Sequence, residues 1–349
     1  MTDVNILNPN GSSDRPFVTF ALFTYNQEKY GKEAIESAFA QTYENLEIII
    51  SDDCSTDATY EIIQNEAASY AGSHKLILRQ SSVNHGFARN VSDVCEIAKG
   101  DLIIAAAGDD KSFSNRTLEL VNAWEKYGKK SGSLYSNFRT LFPNGRITNS
   151  TSRNSEWHIT HAERKLDFLN DFAGISGCAH AWTRDIFDQF GPIDNRIDHE
   201  DVIIPLRSLL IGTITFIPLD LVDYRISTGS ITRKRYTSPK ERLSQMDKYW
   251  RGRTAIFEQF KIDTKRAIEN EWVSENDIRW LCDTSQKAEE FARSMQLFYS
   301  TNTIERLRIL MRVSNKISLK TCLKLLLISL FPILYNFRMP RWLRLQLWI

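Results

Sequence analysis

The chain has 349 residues, 42% hydrophobic and 25% charged, which is enough for one large domain with an appendage or for two domains. Its 44 basic and 43 acidic residues leave a net charge of +1, excluding any bulk electrostatic pull on nucleic acid, so a basic patch has to be local. The cysteines Cys54, Cys95, Cys178, Cys282 and Cys322 are scattered without CxxC spacing, which argues against a disulfide framework or a structural zinc site and for a reducing compartment.

Residues 1–15 carry neither a basic n-region nor an apolar h-region and read as a disordered lead rather than a signal peptide. Phe17 to Thr24 is an apolar, β-rich run closed by Tyr25-Asn26, the pattern of a buried strand. Between Glu28 and Gln41 the positions Ile35, Ala38 and Phe39 recur at helical spacing. Leu46 to Ser51 is a second strand, ending in Asp52-Asp53-Cys54-Ser55-Thr56-Asp57, and Thr59 to Tyr70 is helical. A strand over Lys75 to Arg79, a helix over Gly86 to Ala98 and a strand over Leu102 to Ala106 follow, the last running into Gly108-Asp109-Asp110. Strands and helices alternating at this cadence predict βαβ units and a parallel sheet, with ligands gathered beyond the carboxyl ends of the strands.

Two of those strands end in paired acids. Asp109 and Asp110 repel one another unless a positive charge sits close by, and a hard divalent ion shared with a substrate's phosphates suits such a pair. The competing reading is a solvated acidic turn. Asp52 and Asp53 allow the same choice: an Asx-rich turn, with Ser55 to Asp57 capping the next helix, or carboxylates that accept a base imide N–H or ribose hydroxyls. Neither GxGxxG nor GxxxxGK[ST] occurs, so phosphates need another device, and a cation on Asp109 and Asp110 supplies one.

Further along, Leu118 to Tyr127 reads as a helix, and Leu134 to Phe142 with the turn Pro143-Asn144-Gly145-Arg146 reads as a hairpin. His158 and His161, with Glu156, lack the fourth ligand of a zinc site and read as solvated residues before a helix over Ala162 to Phe172. The small residues of Gly174 to Trp182 allow close backbone approach to a ligand, or a packed strand. Asp198-His199-Glu200-Asp201 precedes an apolar helix over Val202 to Leu210: either a favourable acidic helix start or the source of a general base. Strands over Thr213 to Ile217 and Leu221 to Tyr224 lead into Arg225, Arg233, Lys234 and Arg235, suited either to phosphate oxygens or to a solvated linker.

From Pro239 to Ser300 the pattern is charged and helical, with Trp250, Phe257, Phe260, Trp272, Trp280, Phe291 and Phe298 as core candidates. Arg308, Arg312, Lys316, Lys320 and Lys324 then fall every four residues beside an apolar stripe, followed by a short apolar run broken by Pro332 and by Arg338, Arg341, Trp342, Arg344 and Trp348. The run is too short to span a bilayer, and its basic, tryptophan-bearing flanks predict a monotopic anchor on an anionic leaflet; a packing or dimerisation helix is the competing reading.

The segments FVTFALFTYNQEKYGKEAIESAFAQTYENLEIIISDDCSTDAT, NHGFARN, AAAGDD and HED, in that order over residues 16–230, resemble a family 2 glycosyltransferase of the GT-A fold. The resemblance implies an α/β fold with a Rossmann-like nucleotide-binding sheet and a mixed acceptor half, over residues 16–235. A helical appendage over 236–300 and a basic amphipathic membrane-associating tail over 301–349 complete the expected organisation.

It also implies an inverting transfer of a sugar from a nucleotide diphosphate donor, dependent on Mn²⁺ or Mg²⁺. By resemblance, Thr24, Tyr25, Asn26 and Glu28 border the nucleotide, Asp52 and Asp53 contact the base, and Gly86, Arg89 and Asn90 lie beside base and ribose. Asp109 faces the ribose and shares the metal with Asp110; Arg225 belongs to a segment that closes on the diphosphate. Gly177, His180 and Trp182 fall on the acceptor side, and Asp201 is the base with Glu200 beside it. Where many members read DxDD, this chain has Ala107-Gly108-Asp109-Asp110, without the leading acid. The expectation is an enzyme peripheral on the cytoplasmic face of the membrane, acting on a saccharide or lipid-linked acceptor of surface polysaccharide. Its oligomeric state is left open, a homo-oligomer included, and the alternative is a catalytically weak nucleotide-sugar-binding scaffold.

Overall fold

A computed structural model describes residues 5–6, 15–149, 157–159, 175–198, 200–226, 239–314 and 325. Most of the expected lead, Glu156 and His161, His199, the cations Arg233, Lys234 and Arg235, and the basic tail after Ser314 apart from Leu325 lie outside the described residues, as does the helix expected over 162–172. The chain divides into two compact units, Met1–Ser230 and Ile231–Ile349.

The first unit is built on one sheet. Its strands are β1 (Asn5–Ile6), β2 (Val18–Thr24), β3 (Leu46–Asp52), β4 (Lys75–Gln80), β5 (Leu102–Ala107), β6 (Lys111–Ser112), β7 (Ser131–Leu141), β8 (Ile147–Asn149), β9 (Trp157–Ile159), β10 (His180–Thr183) and β11 (Thr213–Arg225). Helices α1 (Gly31–Phe39), α2 (Thr59–Ser69), α3 (Phe87–Ile97), α4 (Arg116–Lys126), α5 (Asp185–Phe190) and α6 (Glu200–Ile211) connect them. The strand order is β1-β4-β3-β2-β5-β10-β7-β11-β6, with β8 on β7 and β9 on β11.

β4, β3, β2 and β5 run parallel, as the βαβ cadence predicts. Every residue of β2 and β3 is buried, as expected of strands covered on both faces. One core gathers Phe20, Leu22, Ile48, Ile50 and Ile104 from these strands with Ile35, Ile63, Leu120 and Trp124 from the helices. β10 then runs antiparallel to both β5 and β7 and turns the sheet from parallel to mixed.

The expected hairpin forms as β7 and β8, with Gly145 at φ +79° in its turn. The two strands expected after α6 are a single strand, β11, that pairs parallel with β7 over its whole length. Register shifts between Ile217 and Asp223 absorb the interruption at Pro218-Leu219-Asp220 that reads as a strand break.

The second unit holds α7 (Pro239–Glu269), α8 (Glu275–Ser300) and α9 (Thr303–Val313). Phe257, Phe260 and Phe298 are buried, and Trp250 meets Phe291 edge-on at 5.7 Å. Trp272, Trp280 and Phe291 are half-buried. Among the described residues no helix is long and apolar enough to cross a membrane.

Candidate functional site

The carboxyl ends of β3, β2 and β5 lie side by side, because β2 pairs with both neighbours: Thr24 stands opposite Asp52, and Phe23 opposite Ala107. The loops leaving these strands are laced together. Asn26, held at φ +51°, accepts the Thr56 N–H on its side-chain oxygen at 2.8 Å, and its own N–H donates to Ser55 Oγ at 2.8 Å. Gln27 N–H donates to Thr59 Oγ1 at 2.6 Å, Glu28 N–H to Asp57 Oδ2 at 3.1 Å, and Ala58 N–H to Glu28 Oε2 at 3.1 Å. Tyr25 stands out of this lacing, 45% exposed.

Both acids after β3 are buried and occupied. Asp52 accepts from Thr24 Oγ1 at 3.1 Å, Ser55 Oγ at 2.5 Å and Ser55 N–H at 2.9 Å. Asp53 takes the N–H groups of His85 at 3.0 Å and Gly86 at 2.8 Å, one on each oxygen, and so fixes the entry to α3. Gly86 sits at φ +86°, a conformation that side chains with a Cβ rarely adopt. Arg89 Nε donates to Asp93 at 2.6 Å, and Asn90 is buried, its oxygen accepting from Ser51 Oγ at 2.5 Å and Arg79 Nη1 at 2.9 Å. Arg79, which also pairs with Asp93, is a hub that no local sequence signal announces.

Beyond β5 the chain passes through Gly108, where a Cβ would stand 2.0 Å from Gln27 Oε1 and 2.7 Å from Thr24 Cγ2, so only glycine lets the loops close. Asp110 follows, buried. Its Oδ1 accepts the Arg225 N–H at 2.7 Å, while its Oδ2 has no hydrogen-bond partner. Burial, with the Asp109 charge second, pushes the Asp110 carboxyl well above the usual range.

Arg225, the last residue of β11, donates from Nε to the Asp109 carbonyl at 3.0 Å and from Nη2 to Glu33 of α1 at 2.9 Å, with its guanidinium 4.4 Å from the Tyr30 ring centroid. Behind the pair, the fully buried Arg116 donates to the Ala105 carbonyl at 2.7 Å and to Ser112 Oγ at 2.9 Å. Burial lowers its pKa to about 10.

The later acids reach the same place. Gly177 to Ala179 form a short 3₁₀ turn leading into β10. Burial pushes the Cys178 thiol well up, and the carboxylates of Asp110, Asp201 and Asp109 add to this against the opposing Arg116 guanidinium. The turn packs against β5, and a Cβ on Gly177 would stand 3.7 Å from Asp201 Cβ, so the start of α6 lies near β5.

Glu200 is buried, and burial with the Asp201 charge raises its carboxyl well above the usual range; Asp201 is half-buried. A Cβ on Gly177 would stand 2.4 Å from Glu200 Oε1. His180 and Trp182, expected on the acceptor side, are fully buried in β10, the imidazole Nε2 2.9 Å from Ser133 Oγ and the rings edge-on at 5.2 Å. Their alternating positions in a strand flanked on both sides turn both rings into packed layers.

Among the described residues no group of three or more His, Cys, Asp or Glu side chains is arranged to hold a metal ion. The residues present are nonetheless compatible with a divalent cation. Asp109 and Asp110 supply a hard oxygen pair, and the orphaned, buried Oδ2 of Asp110 is an acceptor that a cation would satisfy, with phosphate oxygens completing its shell.

The family model "Glycosyl transferase family 2" matches residues 19–191. The putative glycosyltransferase EpsE of Bacillus subtilis is 38% identical over 112 residues, 32% of this chain and 40% of EpsE, so the chain spans two fifths of that relative's length. The Escherichia coli UDP-Glc:alpha-D-GlcNAc-diphosphoundecaprenol beta-1,3-glucosyltransferase WfaP is 28% identical over 225 residues, 63% of this chain and 81% of WfaP. Among solved structures, the mannosyltransferase PcManGT of Pyrobaculum calidifontis, in complex with GDP-Man and Mn²⁺, superposes with a TM-score of 0.50 at 16% identity, covering 92% of this chain and 81% of that one.

Proposed function

From the premise that residues 19–191 are a glycosyl transferase family 2 domain on a GT-A fold, we propose that the protein transfers a sugar, with inversion, from a nucleotide diphosphate donor to a saccharide or lipid-linked acceptor hydroxyl in surface polysaccharide biosynthesis. The observation that supports this reading is that the turn Gly177–Ala179 packs against β5 and has Glu200 and Asp201 beside Gly177, which sets the later acids near the strand end that carries Asp109 and Asp110. Inversion requires that arrangement: an acid that takes the acceptor's proton on one face of the sugar, and a site for the departing diphosphate on the other.

Asp201 is the base, because it is the half-exposed member of its pair while Glu200 is buried. Burial and the Asp201 charge raise the Glu200 carboxyl well above its usual range, which disfavours a second negative charge beside Asp201. Asp109 and Asp110 would hold a Mn²⁺ or Mg²⁺ ion, which would supply charge neutralisation for the leaving diphosphate. Thr24, Tyr25, Asn26, Glu28, Asp52, Asp53, Gly86, Arg89 and Asn90 shape the nucleotide site. Asp52 and Asp53 do so largely by fixing backbone, and Asn90 by holding the Ser51 and Arg79 side chains.

Gly177 lines the acceptor side, with His180 and Trp182 supporting it from within the sheet. WfaP's substrate names a polyprenyl-diphosphate-linked acceptor as the first class to assay. A basic tail over residues 301–349 would bring the enzyme to such an acceptor at the inner membrane face.

The experiment is incubation with UDP-, GDP- and TDP-sugars, Mn²⁺ and polyprenyl-diphosphate sugars, measuring nucleoside diphosphate release and the anomeric configuration of the product. Asp201→Asn is expected to lower turnover at least 10²-fold, the scale of general-base catalysis, with donor binding kept; survival of turnover removes Asp201 from its role. Ala107, in place of an acid, favours the second reading of a weak nucleotide-sugar-binding scaffold, and donor binding with no turnover on any pairing would establish it. A chain truncated after Ser314 is expected to leave anionic vesicles on sedimentation; continued co-sedimentation rejects the membrane tail.

A further inference from the structure

We propose that Arg225 is a positioning residue for the cation site, latched by Glu33, rather than a ligand of the donor diphosphate. This rests on the glycosyltransferase reading. The main chain and side chain of Arg225 grip the acid pair from two directions: its N–H donates to Asp110 Oδ1 at 2.7 Å and its Nε to the Asp109 carbonyl at 3.0 Å. The remaining edge of the guanidinium is bonded to Glu33 Oε2 at 2.9 Å, and its face lies 4.4 Å from the Tyr30 ring centroid. A planar fork with edge and face both engaged is held in place, unlike a cation waiting for phosphate.

The grip leaves Asp110 Oδ2 as the acceptor without a partner. Arg225 thus turns one carboxylate oxygen inward and presents the other. Glu33 and Tyr30 belong to α1 and the loop before it, so the latch ties the end of β11 to the start of α1. This matters more here than where a leading acid is present, because Ala107 contributes no oxygen and the aim of the two remaining carboxylates sets the affinity.

Charge and position predict opposite signs for Arg225→Gln, which makes the proposal testable. By charge alone, Arg225→Gln removes a cation and would tighten divalent ion binding, while Glu33→Gln exposes one and would weaken it. As a latch, both substitutions weaken it, by roughly tenfold, the lower end of the cost of losing a partner that orients a metal ligand. The double variant is then no weaker than Arg225→Gln alone, since the two side chains act as one unit.

The measurement is Mn²⁺ titration of the full chain by electron paramagnetic resonance, without nucleotide and with UDP or GDP. A parallel titration of UDP and GDP in EDTA reads nucleotide binding without the ion. The expected result is weaker Mn²⁺ binding in both single variants, an unchanged EDTA titration, and partial recovery in Arg225→Lys, which keeps a charge but not the fork.

Tighter Mn²⁺ binding in Arg225→Gln, additive losses in the double variant, or loss of nucleotide binding in EDTA by Arg225→Gln with Mn²⁺ binding intact each overturns the proposal; the last identifies a phosphate ligand instead. Absence of Mn²⁺ binding to the unsubstituted chain, alone and with either nucleotide, also overturns it. Failure of the glycosyltransferase reading has a separate signature: no nucleotide bound under any condition.

Discussion

His180 is a residue whose chemistry is changed by where it sits. Its imidazole is fully buried, and burial with the nearby Arg116 charge lowers its pKa from 6.5 to about 3. Between those values the unfolded chain holds a proton that the folded one refuses. The stability it permits is therefore whole above pH 6.5 and falls as pH drops toward 3, by at most about 1.4 kcal/mol per pH unit. Replacing it with a group that does not titrate, His180→Gln, is expected to flatten the acid limb of a denaturation-against-pH series in that window while lowering stability at pH 7.5 through lost packing. An unchanged slope would mean the imidazole is protonated in the fold. Arg116 shows the limit of reading single residues from sequence. It lies ahead of the helix expected from Leu118 and no motif marks it, yet it is a fully buried cation behind the acid pair, because α4 begins at Arg116, within reach of the Ala105 carbonyl of β5. Glu33 and Arg225 lie 192 positions apart, and no periodicity or spacing links them.

At the scale of elements, the runs FVTFALFT, LEIIIS and LIIAAA announce strands because both faces of the sheet are covered there, so pattern and burial coincide. Legibility fails where tertiary pairing overrides local pattern. Pro218-Leu219-Asp220 reads as a break, but β7 supplies a continuous partner and the register slips to keep it. The acids after β3 were legible as a turn and as a site at once, and the hydrogen bonds explain why: the carboxylates that would face a nucleotide also hold the loops that frame it. The lacing between the loops after β2 and β3 is expected to carry stability as well as shape. Asn26→Ala removes the side-chain oxygen that accepts from Thr56 and puts alanine at φ +51°, for an expected loss of about 1–2 kcal/mol in urea denaturation. A loss within error would show the lacing to be incidental.

Over the whole molecule, the division at Ser230 and Ile231 separates a sheet-based unit from a helical one, each with buried apolar residues of its own. A fragment of residues 1–230 is expected to unfold in one cooperative transition and to keep nucleoside diphosphate binding, read by thermal shift with UDP and GDP. Loss of a cooperative transition would make the helices part of the same folding unit. Within the first unit, β10 is the seam where strand direction reverses. Everything that shapes the proposed nucleotide site comes from residues before it, apart from the return of β11 at Arg225. The two sides of the proposed site are thus encoded in largely separate stretches of gene, tied together by Arg225 and by the pairing of β11 with β6. Recombination across that seam could exchange what receives the sugar while leaving what delivers it intact, provided the incoming half brought an arginine to the end of its last strand.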